Sequence, residues 1–262
     1  MLKVMKLALL GLLAIGILGL AGCGSTTTTK TAQAQNVLRV GSEIDYAPFE
    51  YVDGTTNQNT GFDLDLIRAV GKAAGFDSVQ IENIAWDGLI PALNDGKVDA
   101  VISAMTIIPS RQKGALFSDR YFQSTQYIAV KAGSPIKSAA DLINKRVGVQ
   151  TNTTGQYACE KLGVKNILKF DQTPDAFNAL KIGQVDAVVV DSPVVMWFIK
   201  QNPSANVTEI QGNFPKEYYG IPMKLGNTAL AAKINAGLKQ VIADGTYNQI
   251  YKKYFNEDAP KF

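Results

Sequence analysis

The chain has 262 residues, 46% hydrophobic and 19% charged, with 23 glycines and a formal charge of +3, a balance that excludes disordered, fibrous and collagen-like classes. It contains no histidine, which removes Ser-His-Asp and Cys-His nucleophile systems and the commonest transition-metal ligand. No P-loop and no GxGxxG opening a helix is present, and without Lys3 and Lys6 24 basic residues face 23 acidic ones, so nothing favours nucleic acid.

Residues 1–22 read as an export signal. Lys3 and Lys6 form a basic start, Leu7 to Leu20 an apolar stretch, and the pattern is too short to span and stay. The following Leu20-Ala21-Gly22-Cys23 resembles the lipobox of bacterial lipoproteins. That resemblance implies cleavage before Cys23 and two acyl chains near its sulfur, which anchor stably where one is marginal. Residues 23–36 are polar and of low complexity, a flexible tether. Cys159 is then the only remaining thiol, so no intramolecular disulfide is expected and a small buried role suits it.

From residue 37, short β-branched runs alternate with helical stretches. The order is VLRV, a helix over 63–74, VQIEN, a helix over 87–95, DAVIS, a short helix from Pro109, then YIAV. This predicts an α/β fold with largely parallel sheet. In the first helix Leu66, Val70 and Ala73 recur at helical spacing and Gly75 stops it. Its Asp63 and Asp65 sit in the first turn, where the helix dipole favours acids. A second set follows: RVGVQ, a helix over 154–162, ILKF, a helix over 174–182, DAVVV and a helix over 193–201. GKVDAVIS at 96–103 and GQVDAVVV at 183–190 repeat one order of glycine and Asp-Ala-Val strand, which predicts two similar lobes. Helices over 227–244 and 246–255 bring no strand set of their own and must pack back on an earlier lobe.

Eight segments in order, VGSEIDYAPFEY, GFDLDL, WDGLIPAL, DAVISAMTIIPSR, FSDRYF, RVGVQTNTTG, VDAVVVDSP and DGTYNQIYKKYF, resemble the amino-acid-binding proteins of bacterial ABC importers (solute-binding protein family 3). The resemblance implies the type II periplasmic-binding-protein fold, each lobe a mostly parallel sheet flanked by helices, with the ligand in the cleft between. It places the first lobe at 37–123 and 221–262 and the second at 124–220. It further implies an extracytoplasmic protein, lipid-anchored through Cys23, that delivers a free amino acid to a permease and ATPase complex. Neither catalysis, cofactor nor metal is expected.

Carried over residue by residue, the carboxylate-binding arginine of the family falls on Arg111. A zwitterion's carboxylate leaves water at a cost of several kcal/mol unless a charged partner takes it, and a planar guanidinium suits it where lysine does not. The bland alternative is a surface ion pair. Thr106 is the helping hydroxyl and Thr154 the contact from the second lobe, with helix N-capping as its rival. Asp191, at a strand end, receives the ammonium, again against a capping role, and the Ala104 carbonyl is a further acceptor. Tyr46 and Trp86 form aromatic walls around the ligand side chain, or else fill core space. Glu43 and Gln150 read its tip, with the Gln150 amide oxygen accepting a hydrogen bond, whereas Asp45 is expected to face solvent. Ile108 and Pro109 depart from the family pattern, leaving the helix before Arg111 without a capping hydroxyl. Counting Arg111 against Asp191 and Glu43 favours a cationic ligand, arginine or lysine, with glutamine next. Two other classes remain open: a cyclohexadienyl-dehydratase-like enzyme using Glu43 as its acid, and a sensor input reporting to a signalling partner.

Overall fold

The computed structural model describes residues 35–260; the expected signal, Cys23 and nearly all of the expected tether lie outside them. In chain order the first half contains β1 (Val37–Ser42), β2 (Tyr51–Val52), β3 (Asn59–Thr60), α1 (Phe62–Ala73), β4 (Ser78–Asn83), α2 (Leu89–Asn94), β5 (Ala100–Val101), α3 (Pro109–Gln112) and β6 (Leu116–Phe117). Next come β7 (Phe122–Lys131), β8 (Arg146–Gln150), α4 (Thr154–Leu162), β9 (Asn166–Phe170), α5 (Thr173–Lys181), β10 (Ala187–Asp191), α6 (Ser192–Gln201) and β11 (Val207–Tyr219). The chain closes with β12 (Pro222–Met223), α7 (Thr228–Ala243) and α8 (Thr246–Phe255).

Two five-stranded sheets result, in the orders β4-β1-β5-β12-β6 and β11-β7-β10-β8-β9. The expectation of largely parallel pairing holds for β4-β1-β5 and for β10-β8-β9, where helices make the crossovers, but both sheets are mixed. β12 and β6 run antiparallel in the first sheet, as do β7 and β11 in the second. The cause lies in the two long strands that leave one sheet region for the other: they pair directly with each other and need no helical crossover.

The strand expected at DAVIS is only two residues long, because the chain turns into the cleft at Ala104, which sits at φ 44 in the left-handed region. The helix expected over 87–95 opens with a 3-10 turn, Trp86–Gly88, before α2. Helix α7 packs on α1 and α8 on both, which adds the C-terminal helices to the first lobe. Where β7 and β11 meet that lobe, Phe49, Phe62, Phe122, Tyr219, Tyr251 and Phe255 form one aromatic cluster, with ring centroids 4.9 Å apart for Phe49 and Phe122 and 5.4 Å for Phe122 and Tyr219. Such packing fixes the point from which both crossing strands depart. In the second lobe Ile128, Val147, Val149 and Val189 build the core around Cys159, a free, fully buried thiol. Burial, then the charge of Glu160, pushes that thiol up to about 12, so it is inert.

Candidate ligand-binding site

The carboxyl ends of the parallel strands in both sheets face one cavity, as expected for open α/β sheets. About 310 Å³ of space is lined by Glu43, Tyr46, Trp86, Ala104, Thr106, Arg111, Gln150, Thr154 and Asp191, together with Ser103 and Thr153. All nine residues singled out from the sequence therefore stand together. Glu43 directly follows β1, Gln150 ends β8 and Asp191 ends β10, so strand termini aim three of the polar side chains.

Arg111 rises from α3, a short helix begun by Pro109 with Ile108 in the cap position and no capping side chain. Its Nη1 donates to the Thr106 carbonyl at 3.0 Å and its Nη2 to the Asn152 carbonyl at 3.1 Å. The guanidinium carbon lies 4.9 Å from the Trp86 ring centroid. Among the described residues Arg111 enters no ion pair, which disposes of the surface-salt-bridge alternative. Burial pulls its pKa down, opposed by Tyr157, Asp191 and Glu217. A cation held by two carbonyls and no carboxylate is available for an anion from outside.

Opposite stands Asp191. It precedes α6 but makes no capping hydrogen bond; its Oδ2 accepts from the Tyr46 hydroxyl at 2.6 Å and its Oδ1 from Gln126 Nε2 at 2.6 Å. Burial, then the charge of Glu217, raises its pKa to about 7 against these hydrogen bonds. Thr153, not Thr154, caps α4 by accepting from the Gln156 amide, which frees Thr154 for the cleft.

Glu43 is 4% exposed. Its Oε1 accepts from the Trp86 amide at 3.1 Å and its Oε2 from Gln150 Nε2 at 2.8 Å. Burial, then the nearby Asp45, pushes its carboxyl up to about 7 against those two bonds. Gln150 is largely engaged: its Nε2 is spent on Glu43 and on the Asp171 carbonyl, and its Oε1 already accepts from the Thr173 hydroxyl at 2.9 Å. It holds Glu43 from the second lobe, and with both amide protons spent the second lone pair of Oε1 is its remaining hydrogen-bonding capacity toward the cavity it lines. Asp45 is corrected. Instead of facing solvent, both its carboxylate oxygens are buried without a hydrogen-bond partner, in a cavity it lines with Thr173, Pro174 and Trp197. That burial, then the charge of Asp175, raises its pKa to about 6. The cause is that the loop after β1 carries it beneath the start of α5.

Tyr46 and Trp86 line the cavity and at the same time pack against the cores behind it, Tyr46 stacking on Phe49 with ring centroids 6.2 Å apart. Trp86 Nε1 donates to the Asn152 carbonyl at 3.3 Å, and Asn152 Nδ2 to Asp87 Oδ1 at 2.9 Å. With Tyr46 to Asp191 and Gln150 to Glu43, these bonds tie the two lobes across the cavity, so the lobes are closed on it. Sequence reasoning missed Glu217. Its Oε2 accepts from Thr106 Oγ1 at 3.1 Å, from Thr154 Oγ1 at 2.7 Å and from Gln126 Nε2 at 3.3 Å. Both threonine hydroxyls are thus committed as donors to a carboxylate on β11. No spacing in KEYYG signals this, since the contact depends on how β11 returns. Ser103 was visible in the sequence as a polar residue ending an apolar strand.

Two lobes closed over a small cavity that combines one unpaired guanidinium, two buried acids and two aromatic walls define a type II solute-binding protein. Residues 38–257 match the family of bacterial extracellular solute-binding proteins, family 3, and the chain belongs to it. The chain is 38% identical over 246 residues, 90% of this chain and 91% of its relative, to a probable histidine-binding protein of Neisseria gonorrhoeae. It is 36% identical over 222 residues, 83% and 81% of the two chains, to the ABC transporter glutamine-binding protein GlnH of Bacillus subtilis. Among solved structures, the arginine-, lysine-, histidine-binding protein ArtJ of Geobacillus stearothermophilus superposes with a TM-score of 0.81 at 44% identity, covering 85% of this chain and 96% of that one.

Proposed function

We propose that this protein captures one free amino acid, preferentially a basic one, outside the cytoplasm and passes it to an ABC permease and its ATPase. The relatives' names support the amino-acid class and differ among histidine, glutamine and arginine. The observation that carries the basic preference is the charge balance of the cavity, where a single cation, Arg111, faces Glu43 and Asp191. A zwitterion with a cationic tip neutralises all three: its carboxylate on Arg111, its ammonium on Asp191 and the Ala104 carbonyl, its tip on Glu43, with the stem between Tyr46 and Trp86. A neutral glutamine leaves Glu43 buried without counter-charge, which costs a few kcal/mol unless it is protonated. Thr106 and Thr154 donate their hydroxyl protons to Glu217 Oε2, and a ligand carboxylate on Arg111 takes those protons over from it. The lobes hinge where the chain crosses near residues 123 and 220, and closure follows from contacts that only a bridging ligand makes with both. Cys23 carries the lipid that keeps the protein at the membrane; among the described residues no helix is long and apolar enough to cross one.

Calorimetric titration of ligand-stripped protein with the twenty amino acids tests the reading. Arginine or lysine should bind most tightly, Arg111→Ala should bind none, and Glu43→Gln should weaken the cationic ligands while leaving glutamine nearly unchanged. Glutamine binding at least tenfold more tightly than both, about 1.4 kcal/mol, would refute the charge argument.

A further inference from the structure

Beneath the cavity lies a pair of acids for which the ligand has no use. Glu50, in the loop between β1 and β2, and Asp63, the second residue of α1, are both 0% exposed. Neither enters an ion pair among the described residues. Their donors can be counted. Asp63 Oδ2 accepts the Ala104 amide at 2.7 Å and the Tyr121 hydroxyl at 2.7 Å. Glu50 Oε1 accepts the Ser103 hydroxyl at 3.1 Å, and the Ser103 oxygen in turn accepts the Glu43 amide at 3.1 Å. The two oxygens left over, Glu50 Oε2 and Asp63 Oδ1, have no donor, while the two carboxyl groups are in hydrogen-bonding contact with each other.

Two carboxylates in contact, both out of water and without a cation, cannot both be ionised. One proton between the two leftover oxygens satisfies both at once. We propose that Glu50 and Asp63 share a single proton between Glu50 Oε2 and Asp63 Oδ1, and that this acid pair is the positioning device that holds Ser103 and Ala104 as the floor of the cleft. The proton resides on Glu50. Asp63 already accepts two donors that favour its charged form, whereas Glu50 accepts one, and burial followed by the charge of Asp63 drives the Glu50 pKa well above its usual value. The groups facing the pair from the surrounding elements are Glu43 after β1, Tyr46, Tyr121 before β7 and Tyr247 of α8. All are acids or phenols, and none supplies a positive charge in place of the proton.

The pair acts on the site through backbone. Ala104 stands at φ 44, a left-handed conformation that L-residues with a Cβ rarely adopt, and its amide is fixed there by Asp63. The Ser103 hydroxyl links Glu50 to the amide of Glu43. Both ends of the pair therefore hold residues that line the cavity. The function of that floor rests on the amino-acid reading above; the shared proton does not.

Infrared spectra of the ligand-free protein at about pH 9, where an ordinary carboxyl is ionised, read the proton directly. Wild type should retain one carboxylic-acid carbonyl band that Glu50→Gln lacks; no such band in wild type, or its persistence in the variant, overturns the proposal. Glu50→Gln places an amide N–H where the proton was, so Ala104 amide exchange should stay as slow as in wild type and L-arginine affinity within about threefold. Glu50→Leu removes the donor and should speed Ala104 exchange at least about tenfold while the protein still unfolds cooperatively. If Glu50→Gln exchanges as fast as Glu50→Leu, the pair does not set the floor. Wild type that shows the band and the slow exchange yet binds none of the twenty amino acids would refute the amino-acid reading alone.

Discussion

Glu43 and Asp191 show what a single buried side chain can do to the energetics of the whole cycle. Each is pushed up to about 7, mainly by burial. A carboxyl whose folded value exceeds its unfolded value holds its proton more tightly when folded, so its contribution to stability is complete at low pH and is lost as pH rises from about 4 through 7. The unliganded protein should therefore lose stability across that window and level off above it. A bound cation reverses the balance, because it favours the ionised acids and expels their protons. Affinity for L-arginine should rise between about pH 5 and 7 and flatten above about 8, with protons released to buffer on binding. Titration in two buffers of different ionisation enthalpy checks this, and an affinity that falls as pH rises would exclude a cation on these two acids. At this scale the sequence was most informative where charge sits at a strand end, as with Asp191 and, directly after β1, Glu43. Asp45 was misjudged because residue type alone does not show that the loop after β1 carries it beneath the start of α5.

At the scale of elements, legibility followed periodicity. α4 spans the predicted residues, and α1, α5 and α7 fall within a residue of prediction at each end, since their apolar spacing and stop signals are local. β11 went unread. Its register with β7 shifts between Gln211 and Lys216, and Gly212, Asn213 and Pro215 interrupt any alternation, so the strand exists only because β7 offers it a ladder. Glu217 on it was hidden for the same reason. Where local geometry dominates, single glycines give sharp tests. Gly61 sits at φ 137 before α1, and an added Cβ would stand 2.0 Å from the Phe49 carbonyl oxygen, in the loop that also carries Glu50. Gly75 ends that helical segment at φ 84 with nothing within 4 Å of such a Cβ. Gly61→Ala should cost well over the about 1 kcal/mol of an unfavourable φ, since backbone must move. Gly75→Ala should cost about 1 kcal/mol. Thermal unfolding of both variants decides it, and equal losses would mean that the loop yields freely.

For the whole molecule the resemblance of ordered segments gave the two-lobed architecture, but not that the crossing strands would pair with each other, which is a property of the closed chain and of no segment. The interlobe hydrogen bonds of Tyr46 to Asp191, of Trp86, Asp87 and Arg111 to Asn152, of Glu43 to Gln150 and of Thr106 to Glu217 involve residues that line or border the cavity, so a ligand and the closure compete for and share the same groups. Such a receptor has to stay where its permease is. A protein that diffused away after export would deliver its ligand only at bulk concentration, whereas a tether of the length of residues 23–36, if anchored, would keep it at an effective concentration in the millimolar range. The proposed attachment is a lipid on Cys23, from the resemblance of Leu20-Ala21-Gly22-Cys23 to a lipobox. Two chains at about 0.8 kcal/mol per buried methylene hold firmly where one exchanges. Cys23→Ser should therefore leave the membrane fraction for the soluble one while its ligand affinity, measured by calorimetry, stays within error of the acylated protein's. A serine variant that still sediments with membranes, or wild type whose mass shows no diacylglycerol, would place the anchor elsewhere.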